Sequence, residues 1–550
     1  MSTERRLHHF HGGLHLEDFK QDSLSKDLQD AGLTDRFILP LTQHIGEQNK
    51  PKVKPGEKVK RGQLLADNKS AVSAPIHAST SGIISEISNQ PVPHFSGQKD
   101  LCIILDADGK DEWFEGSADQ NNKELSTYQS IQLIRAAGIV GLGGAVFPTA
   151  SKLFKGQQSH IHTLIINGAE CEPYITCDDM LMQTEASKII AGIKHLQQIL
   201  QPEQTLIGIE DNKSTAIKSM KKALTDAMLE KVELLIIPTI YPSGGEKQLV
   251  KILTGEEIPK GKLSFDAGFL CQNVGTCAAI SDALDQGKPM TSRIVTISGN
   301  GIKQPANYTT RFGTPIAHLI QLAGGYSSSN NRLIMGGPMM GFALDSDQIP
   351  VIKSSNNILI EKTAAQFTEQ QPHQECIRCG KCIDVCPAQL LPHQLYWYAK
   401  AGNFDQTEEY HLFDCIECGC CSAVCPSEIP LVQYYRFAKQ AVIDNREKMY
   451  KSDLSRLRFE FRENRLLRQK QQAEERRRIK REALKKKNTA KAGKTQTQTV
   501  DTVQAALERV KTKQVGQSVK PRNTENLSAD QQRQIDAADA RRESARKKQQ

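Results

Sequence analysis

Apolar positions along the chain change their period several times, and each change marks a different kind of element. Up to about residue 120, short apolar runs alternate with turn residues: Lys54-Pro55-Gly56-Glu57 precedes Val59, Gly62 precedes Leu64-Leu65, and Ser81-Gly82 precedes Ile83-Ile84. That rhythm predicts short β strands closing into a small barrel or sandwich over residues 1–120. From Ser126 onward, longer apolar strands at 163–167, 204–209 and 232–238 alternate with helix-length stretches at 184–200 and 213–229. Such alternation predicts a parallel sheet covered by helices over 121–260. Over 261–360 short strands with glycine turns return, at 293–299 and 332–338 among others, and predict a small mixed domain. Residues 361–450 carry two cysteine groups, each followed by a helical stretch. From 451 to 550 the apolar residues give way to Lys, Arg, Gln, Glu and Ala, so solvated helix or disorder is expected. One patch there, Val500, Val503, Leu507 and Val510, keeps helical spacing. The expected fold class is multidomain α/β.

A length of 550 residues exceeds one compact core, which agrees with this division. No run approaches the roughly 18 to 20 apolar residues of a membrane-spanning helix, and residues 1–10 mix Glu4, Arg5 and Arg6 with His8 and His9 rather than forming a secretory signal. The chain is therefore expected in the cytosol, where fourteen cysteines suit metal binding better than disulfides. The net charge of +8 resides in the tail: residues 462–494 hold fourteen Lys or Arg against four Glu, which leaves the remainder close to neutral.

Cys376, Cys379, Cys382 and Cys386 form C-x2-C-x2-C-x3-C followed by Pro387, and Cys415, Cys418, Cys421 and Cys425 repeat it 39 residues later, followed by Pro426. A 4Fe-4S cube needs four thiolates at the corners of a small tetrahedron. Two-residue gaps let one tight loop supply three, and in two-cluster ferredoxins the last cysteine of each motif serves the other cluster. The first cluster is thus expected on Cys376, Cys379, Cys382 and Cys425, and the second on Cys415, Cys418, Cys421 and Cys386. Structural zinc is the competing reading, and two full copies with trailing prolines weigh against it. Cys420 lies off register and reads as packing, while Cys102, Cys171, Cys177, Cys271 and Cys277 read as small buried residues.

Upstream, the glycine-rich segment 138–149 could bring backbone amides against a phosphate. It is neither G-x-G-x-x-G nor a P-loop. Asn167-Gly168-Ala169-Glu170-Cys171-Glu172-Pro173 follows one apolar strand, at the strand end where open α/β sheets hold ligands, and Tyr241-Pro242-Ser243-Gly244-Gly245-Glu246-Lys247 follows another. Together with Gln272-Asn273-Val274-Gly275-Thr276 and the cysteine motifs, these segments resemble the RnfC family over roughly residues 5–440. RnfC proteins belong to the Rnf-type ion-translocating oxidoreductase, an electron transport complex called Rsx in some bacteria. That family is similar in turn to the NADH- and FMN-binding subunit of respiratory complex I. Val146 and Cys171 depart from the pattern of those loops.

The resemblance implies that Gly141, Gly143, Gly144, Phe147 and Lys152 line FMN, with Glu170, Glu172, Gly244, Gly245 and Glu246 near NADH. It also implies an NADH/FMN-binding-like α/β domain, a β-grasp-like mixed domain and a ferredoxin-like domain with two 4Fe-4S clusters. The first segment resembles the barrels of lipoyl and biotinyl carriers, with Lys69 near the place of their modified lysine but without its Met-Lys-Met setting, so a barrel with no swinging arm is expected.

Hydride from NADH arrives as an electron pair whereas clusters take single electrons, and flavin mediates between the two. The function implied is a peripheral subunit at the cytoplasmic face of the bacterial inner membrane. It would exchange electrons between NADH and a ferredoxin or other low-potential acceptor while other subunits move the ion. A flavin-free electron relay and a soluble flavin-dependent NADH dehydrogenase are the alternatives. The basic tail suits an anionic membrane surface at roughly 1 kcal/mol per cation. No nucleic-acid partner is expected, for lack of base-reading aromatics.

Overall fold

The structure, a computed structural model, describes residues 5–115, 125–363 and 374–491 together with Ala506 and Asp536; the patch at Val500, Val503, Leu507 and Val510 lies outside these. Two units divide the chain, Met1–Glu447 and Lys448–Gln550.

In the first unit, helix α1 (Gln21–Leu24) and strand β1 (Gln29–Asp30) lead into β2 (Arg36–Pro40), β3 (Lys50–Pro51), β4 (Lys58–Val59), β5 (Leu64–Asp67), β6 (Ile76–His77), β7 (Gly82–Pro91) and β8 (Lys99–Ala107). Strands β2 to β8 pair antiparallel in two sheets, ordered β2-β8-β7-β4 and β3-β5-β6. Alternation along the strands turns Phe37, Leu39, Leu65, Ile84, Ile103 and Leu105 into one buried core. Lys69 is exposed in the β5–β6 connection.

Next come α2 (Thr127–Ala136), α3 (Thr149–Gln158), β9 (Thr163–Gly168), α4 (Cys177–Thr184), α5 (Ala186–Leu200), β10 (Gln204–Glu210), α6 (Ser214–Ala227), β11 (Val232–Ile237), α7 (Glu246–Thr254), β12 (Phe269–Asn273) and α8 (Val274–Gln286). The four strands form one parallel sheet, β11-β10-β9-β12. Consecutive residues Leu164, Ile165 and Ile166 are all buried, as a sheet covered on both faces requires. The expected boundary at residue 260 falls too early: β12 pairs with β9 from Phe269 against Thr163 to Asn273 against Asn167, so β12 and α8 complete this layer.

A mixed sheet follows, built from β13 (Ser292–Ser298), β14 (Ala306–Arg311), helix α9 (Ile316–Leu322), β15 (Asn331–Met335), β16 (Phe342–Leu344) and β17 (Asn357–Lys362). Its order is β1-β14-β13-β17-β15-β16, so the early strand β1 supplies one edge. Buried Lys353 ties three segments together: its Nζ donates to Pro75 O (2.8 Å) in the first and to Gly138 O (2.6 Å) at the start of the glycine loop. Burial lowers that ammonium to about 7.

The cysteine segment holds α10 (Lys381–Asp384), α11 (Pro392–Lys400), α12 (Phe404–Glu409), α13 (Cys420–Ala423) and α14 (Leu431–Lys491). From 448 to 488 every residue except Leu454 is exposed. Among the described residues no helix is long and apolar enough to cross a membrane.

Candidate functional site

Parallel strands end on the same edge of their sheet, so the loops after β9, β11 and β12 gather at one place. The glycine loop joins them. Gly141 N donates to Phe147 O (2.9 Å), closing the loop, and Leu142 N donates to Thr276 Oγ1 (3.0 Å) in α8. Gly143 lies against Asn273, while Gly144 stands exposed with φ +110°, a conformation that glycine alone adopts without strain. Phe147 is half-buried just before α3.

Of the expected nucleotide residues, the fold joins Lys152 and Glu246. Lys152 Nζ in α3 donates to Glu246 Oε2 (2.9 Å) at the start of α7 and to Cys271 O (2.7 Å) in β12. Burial would raise the Glu246 carboxyl, but the Lys152 ammonium and the Ser264 hydroxyl outweigh it and hold it below its ordinary value. Gly244 approaches the acidic loop: a Cβ on it would lie 2.6 Å from Ala169 O, and Asn167 Nδ2 donates to Gly244 O (2.9 Å), whereas Gly245 lies against Pro242 and Gln248 of its own segment.

Glu170 and Glu172 are turned elsewhere. Glu170 Oε1 accepts from Asp178 N (2.9 Å) and Oε2 from Asp179 N (3.3 Å), so its carboxylate caps the N-terminus of α4. Its oxygen also comes within 4.8 Å of the Cys177 and Asp178 ligand atoms, a grouping that the helix cap explains. Glu172 Oε1 accepts from Met339 N (2.9 Å) and Met340 N (2.8 Å). Burial raises the Glu172 carboxyl, and those two amides only partly offset it. The backbone of this acidic loop is held by buried Lys20, whose Nζ donates to the carbonyls of Glu170, Glu172 and Ile175. No sequence pattern marks Lys20 for this role.

The residues here fit a flavin phosphate. The N-terminus of α3 has no side-chain cap, the Lys152 cation sits in its first turn, and Thr149 Oγ1 and Gln272 Nε2 are buried without partners among the described residues. In this setting Lys152, Gly143 and Gly144 would hold the phosphate and the adjoining ring.

The eight cysteines divide between two cavities. One, of about 250 Å³, is lined by Cys376, Cys379, Cys382 and Cys425; the other, narrower, by Cys386, Cys415, Cys418 and Cys421, with Cys420 beside them. Each set thus includes one thiol from the other motif, with His393 also lining the first cavity and Glu417 the second. Backbone amides point at the sulfurs, Leu390 N at Cys386 Sγ (3.4 Å) and Glu417 N at Cys415 Sγ (3.4 Å), as suits thiolates in an iron-sulfur cluster.

The second cavity abuts the nucleotide segment. Tyr241 packs with Cys418, Cys420, Cys171 and Met339, and its hydroxyl donates to Cys418 O (2.5 Å). Cys420 is fully buried in that seam, and Cys171 Sγ accepts from Gly244 N (3.4 Å). Cys102, Cys177, Cys271 and Cys277 are buried as expected of packing residues, whereas Cys171 is half-buried.

Comparison with known proteins matches four segments to family models: the RnfC barrel sandwich hybrid domain over 8–110, the Nuo51 FMN-binding domain over 134–282, the SLBB domain over 294–343 and a 4Fe-4S dicluster domain over 375–429. The RnfC component of the ion-translocating oxidoreductase complex of Serratia proteamaculans is 45% identical over 408 residues, covering 74% of this chain and 57% of that protein. The same component from Erwinia tasmaniensis is 45% identical over 74% of this chain and 50% of its own length. That from Pectobacterium atrosepticum is 43% identical over 93% of this chain and 72% of its own. The chain spans half to three-fifths of the length of the first two relatives. Among solved structures, NAD+-reducing NiFe-hydrogenase in its air-oxidized state is 17% identical with a TM-score of 0.38, over 52% of this chain and 54% of that one, a likeness too slight to bear on mechanism.

Proposed function

Because the chain belongs to the RnfC family of ion-translocating oxidoreductase complexes, we propose that it is the peripheral electron-carrying subunit of such a complex, exchanging electrons between NADH and a low-potential acceptor such as ferredoxin. Bound FMN would take the hydride pair and pass single electrons, which two 4Fe-4S clusters carry. The chain's own residues bind and order these groups. Lys152 and the N-terminus of α3, which no side chain caps, would counter the charge of the flavin phosphate. Glu246, kept ionised by Lys152, and the backbone of the acidic loop, held by Lys20, shape the nucleotide side of the cleft. Tyr241, Cys171 and Met339 close the space between the cleft and the second thiol set and exclude water there. Other subunits of the complex move the ion, and the exposed basic part of α14 faces an anionic membrane surface at the cytoplasmic side.

The observation that carries this reading is the partition of the eight thiols into two crossed sets, one of them packed on the nucleotide segment. Its test is an anaerobic preparation assayed for iron, acid-labile sulfide, flavin and reduction by NADH. Bound flavin and NADH-driven bleaching of the cluster absorbance are expected. Lys152→Ala, which removes the phosphate's cation, is expected to weaken flavin binding about tenfold, or about 1.4 kcal/mol, measured by flavin fluorescence. Iron-loaded protein that binds no flavin and ignores NADH would favour the relay instead, and one that never pellets with membranes would favour the soluble dehydrogenase.

A further inference from the structure

The two cysteine motifs share a backbone but differ in their surroundings. At positions 39 residues apart, φ is +57° at Arg378 and +59° at Glu417, +82° at Gly380 and +80° at Gly419, and +52° at both Gln389 and Glu428. Helices α10 and α13 match in the same register. Equivalent loops therefore present equivalent surfaces, and what covers one can be compared with what covers the other.

In the second motif the loop is covered. Ile416 and Cys418 pack with Tyr241, Leu14 and Met339, and a Cβ on Gly419 would lie 2.8 Å from Met339 O. Glu417 is held by Arg436 (2.8 Å) and Lys439 (2.7 Å), and Cys420 has no exposed surface. In the first motif the same surface is open. Ile377, the counterpart of Ile416, is 65% exposed, and Cys379, counterpart of the buried Cys418, is exposed too. Where the covered loop has Glu417 and Cys420, the open one has Arg378 and Lys381, both exposed and neither in an ion pair among the described residues. Arg378 is steadied by its guanidinium lying 4.8 Å over the Trp397 ring. Nearby acids leave this charge standing: Glu375 pairs with Lys400 (3.4 Å), and Asp384 lies at the far end of α10.

We propose that the open face at 377–381, with Trp397 beside it, is the docking surface for a one-electron redox protein or domain whose own centre is surrounded by acidic residues. There the cluster on Cys376, Cys379, Cys382 and Cys425 exchanges electrons with that partner. In each exchange one centre loses an electron and the other gains it, with no bond or proton transferred. An apolar contact, Ile377, lies beside the exposed ligand Cys379, and the two cations steer an acidic partner onto it, as suits a small transient interface. The inference rests on the reading of the cysteines as two clusters and adds which cluster meets the partner and what charge that partner carries.

The test uses the full chain with its clusters and a plant-type ferredoxin, a small acidic one-electron carrier. Calorimetry with the redox-silent gallium-substituted ferredoxin is expected to show binding at low salt that weakens as salt screens the charges. The double variant Arg378→Glu with Lys381→Glu is expected to raise Kd at least tenfold, and Arg378→Gln with Lys381→Gln by less. The same charge reversal on α6, Lys221→Glu with Lys222→Glu, is expected to change nothing. Stopped-flow oxidation of pre-reduced native ferredoxin by the clusters is expected to slow in parallel with the loss of binding. No saturable binding by the native chain, equal binding by the Arg378/Lys381 reversal, or equal weakening by the α6 reversal would each overturn the proposal. If the Arg378/Lys381 reversal instead releases the chain from phosphatidylglycerol vesicles and leaves ferredoxin bound, a lipid contact replaces it. Electrons enter here from ferredoxin, so failure of NADH to reduce the protein would sink the proposed function without affecting this result.

Discussion

Asp178 stands in the first turn of α4, where Asn273 Nδ2 donates to its Oδ2 (2.6 Å) and Glu170 caps the same helix end. Burial, and next the Glu170 carboxylate, raise its carboxyl to about 7. In the unfolded chain that proton leaves at an ordinary carboxylate pKa. Between roughly pH 4 and 7 the folded state therefore holds a proton that the unfolded state has lost. This contribution to stability is complete below about pH 4 and is lost as pH rises toward 7, at up to about 1.4 kcal/mol per unit. Asp178→Asn cannot ionise, so its melting midpoint is expected to fall less than the native one between about pH 5 and pH 8. Thermal unfolding followed by circular dichroism at the two pH values checks this, and equal falls would refute it. At this scale sequence reading reached its limit: Glu170 and Glu172 were legible as an acidic loop, but their direction was not. Which amide a carboxylate meets depends on α4 and on the Met339 turn, which only the tertiary fold brings near.

Among the elements, α5 and α8 make the closest helix contact. A Cβ on Gly192 in α5 would lie 1.9 Å from Cys277 O in α8, so the two backbones touch. Gly192→Ala must push the helices apart and is expected to cost about 3 kcal/mol of stability, measured by denaturant unfolding, whereas a cost near zero would mean that the helices are not so close. The strands at 163–167 and 204–209 were readable because buried parallel strands are continuous apolar runs, and 232–238 keeps such a run although β11, at the sheet edge, is only partly buried. Strand β12 was not. Phe269–Asn273 is five residues long and ends in Gln272 and Asn273, so only its pairing with β9 reveals it as part of the sheet. The edge strand β1 was illegible for the same reason: two polar residues become a strand because β14 lies alongside.

Across the first unit, the arrangement turns on how two copies of one cysteine motif are interlocked and differently covered. The spacing announced both motifs, the two-cluster ferredoxin pattern supplied the expectation that their last cysteines cross, and the two cavities are lined by four cysteines each, one of them from the other motif, with Cys420 beside the second set. The covering was beyond the sequence, since Tyr241 meets the Cys418 carbonyl across 177 residues of chain. Crossing has a consequence that no uncrossed arrangement shares: Cys386, in the first motif, belongs with Cys415, Cys418 and Cys421. Low-temperature EPR of the reduced Cys386→Ser chain tests this most directly. The spectrum is expected to match that of Cys418→Ser, with the second cluster altered and the first intact. A spectrum matching Cys382→Ser instead, with the first cluster altered, would contradict the crossed pair.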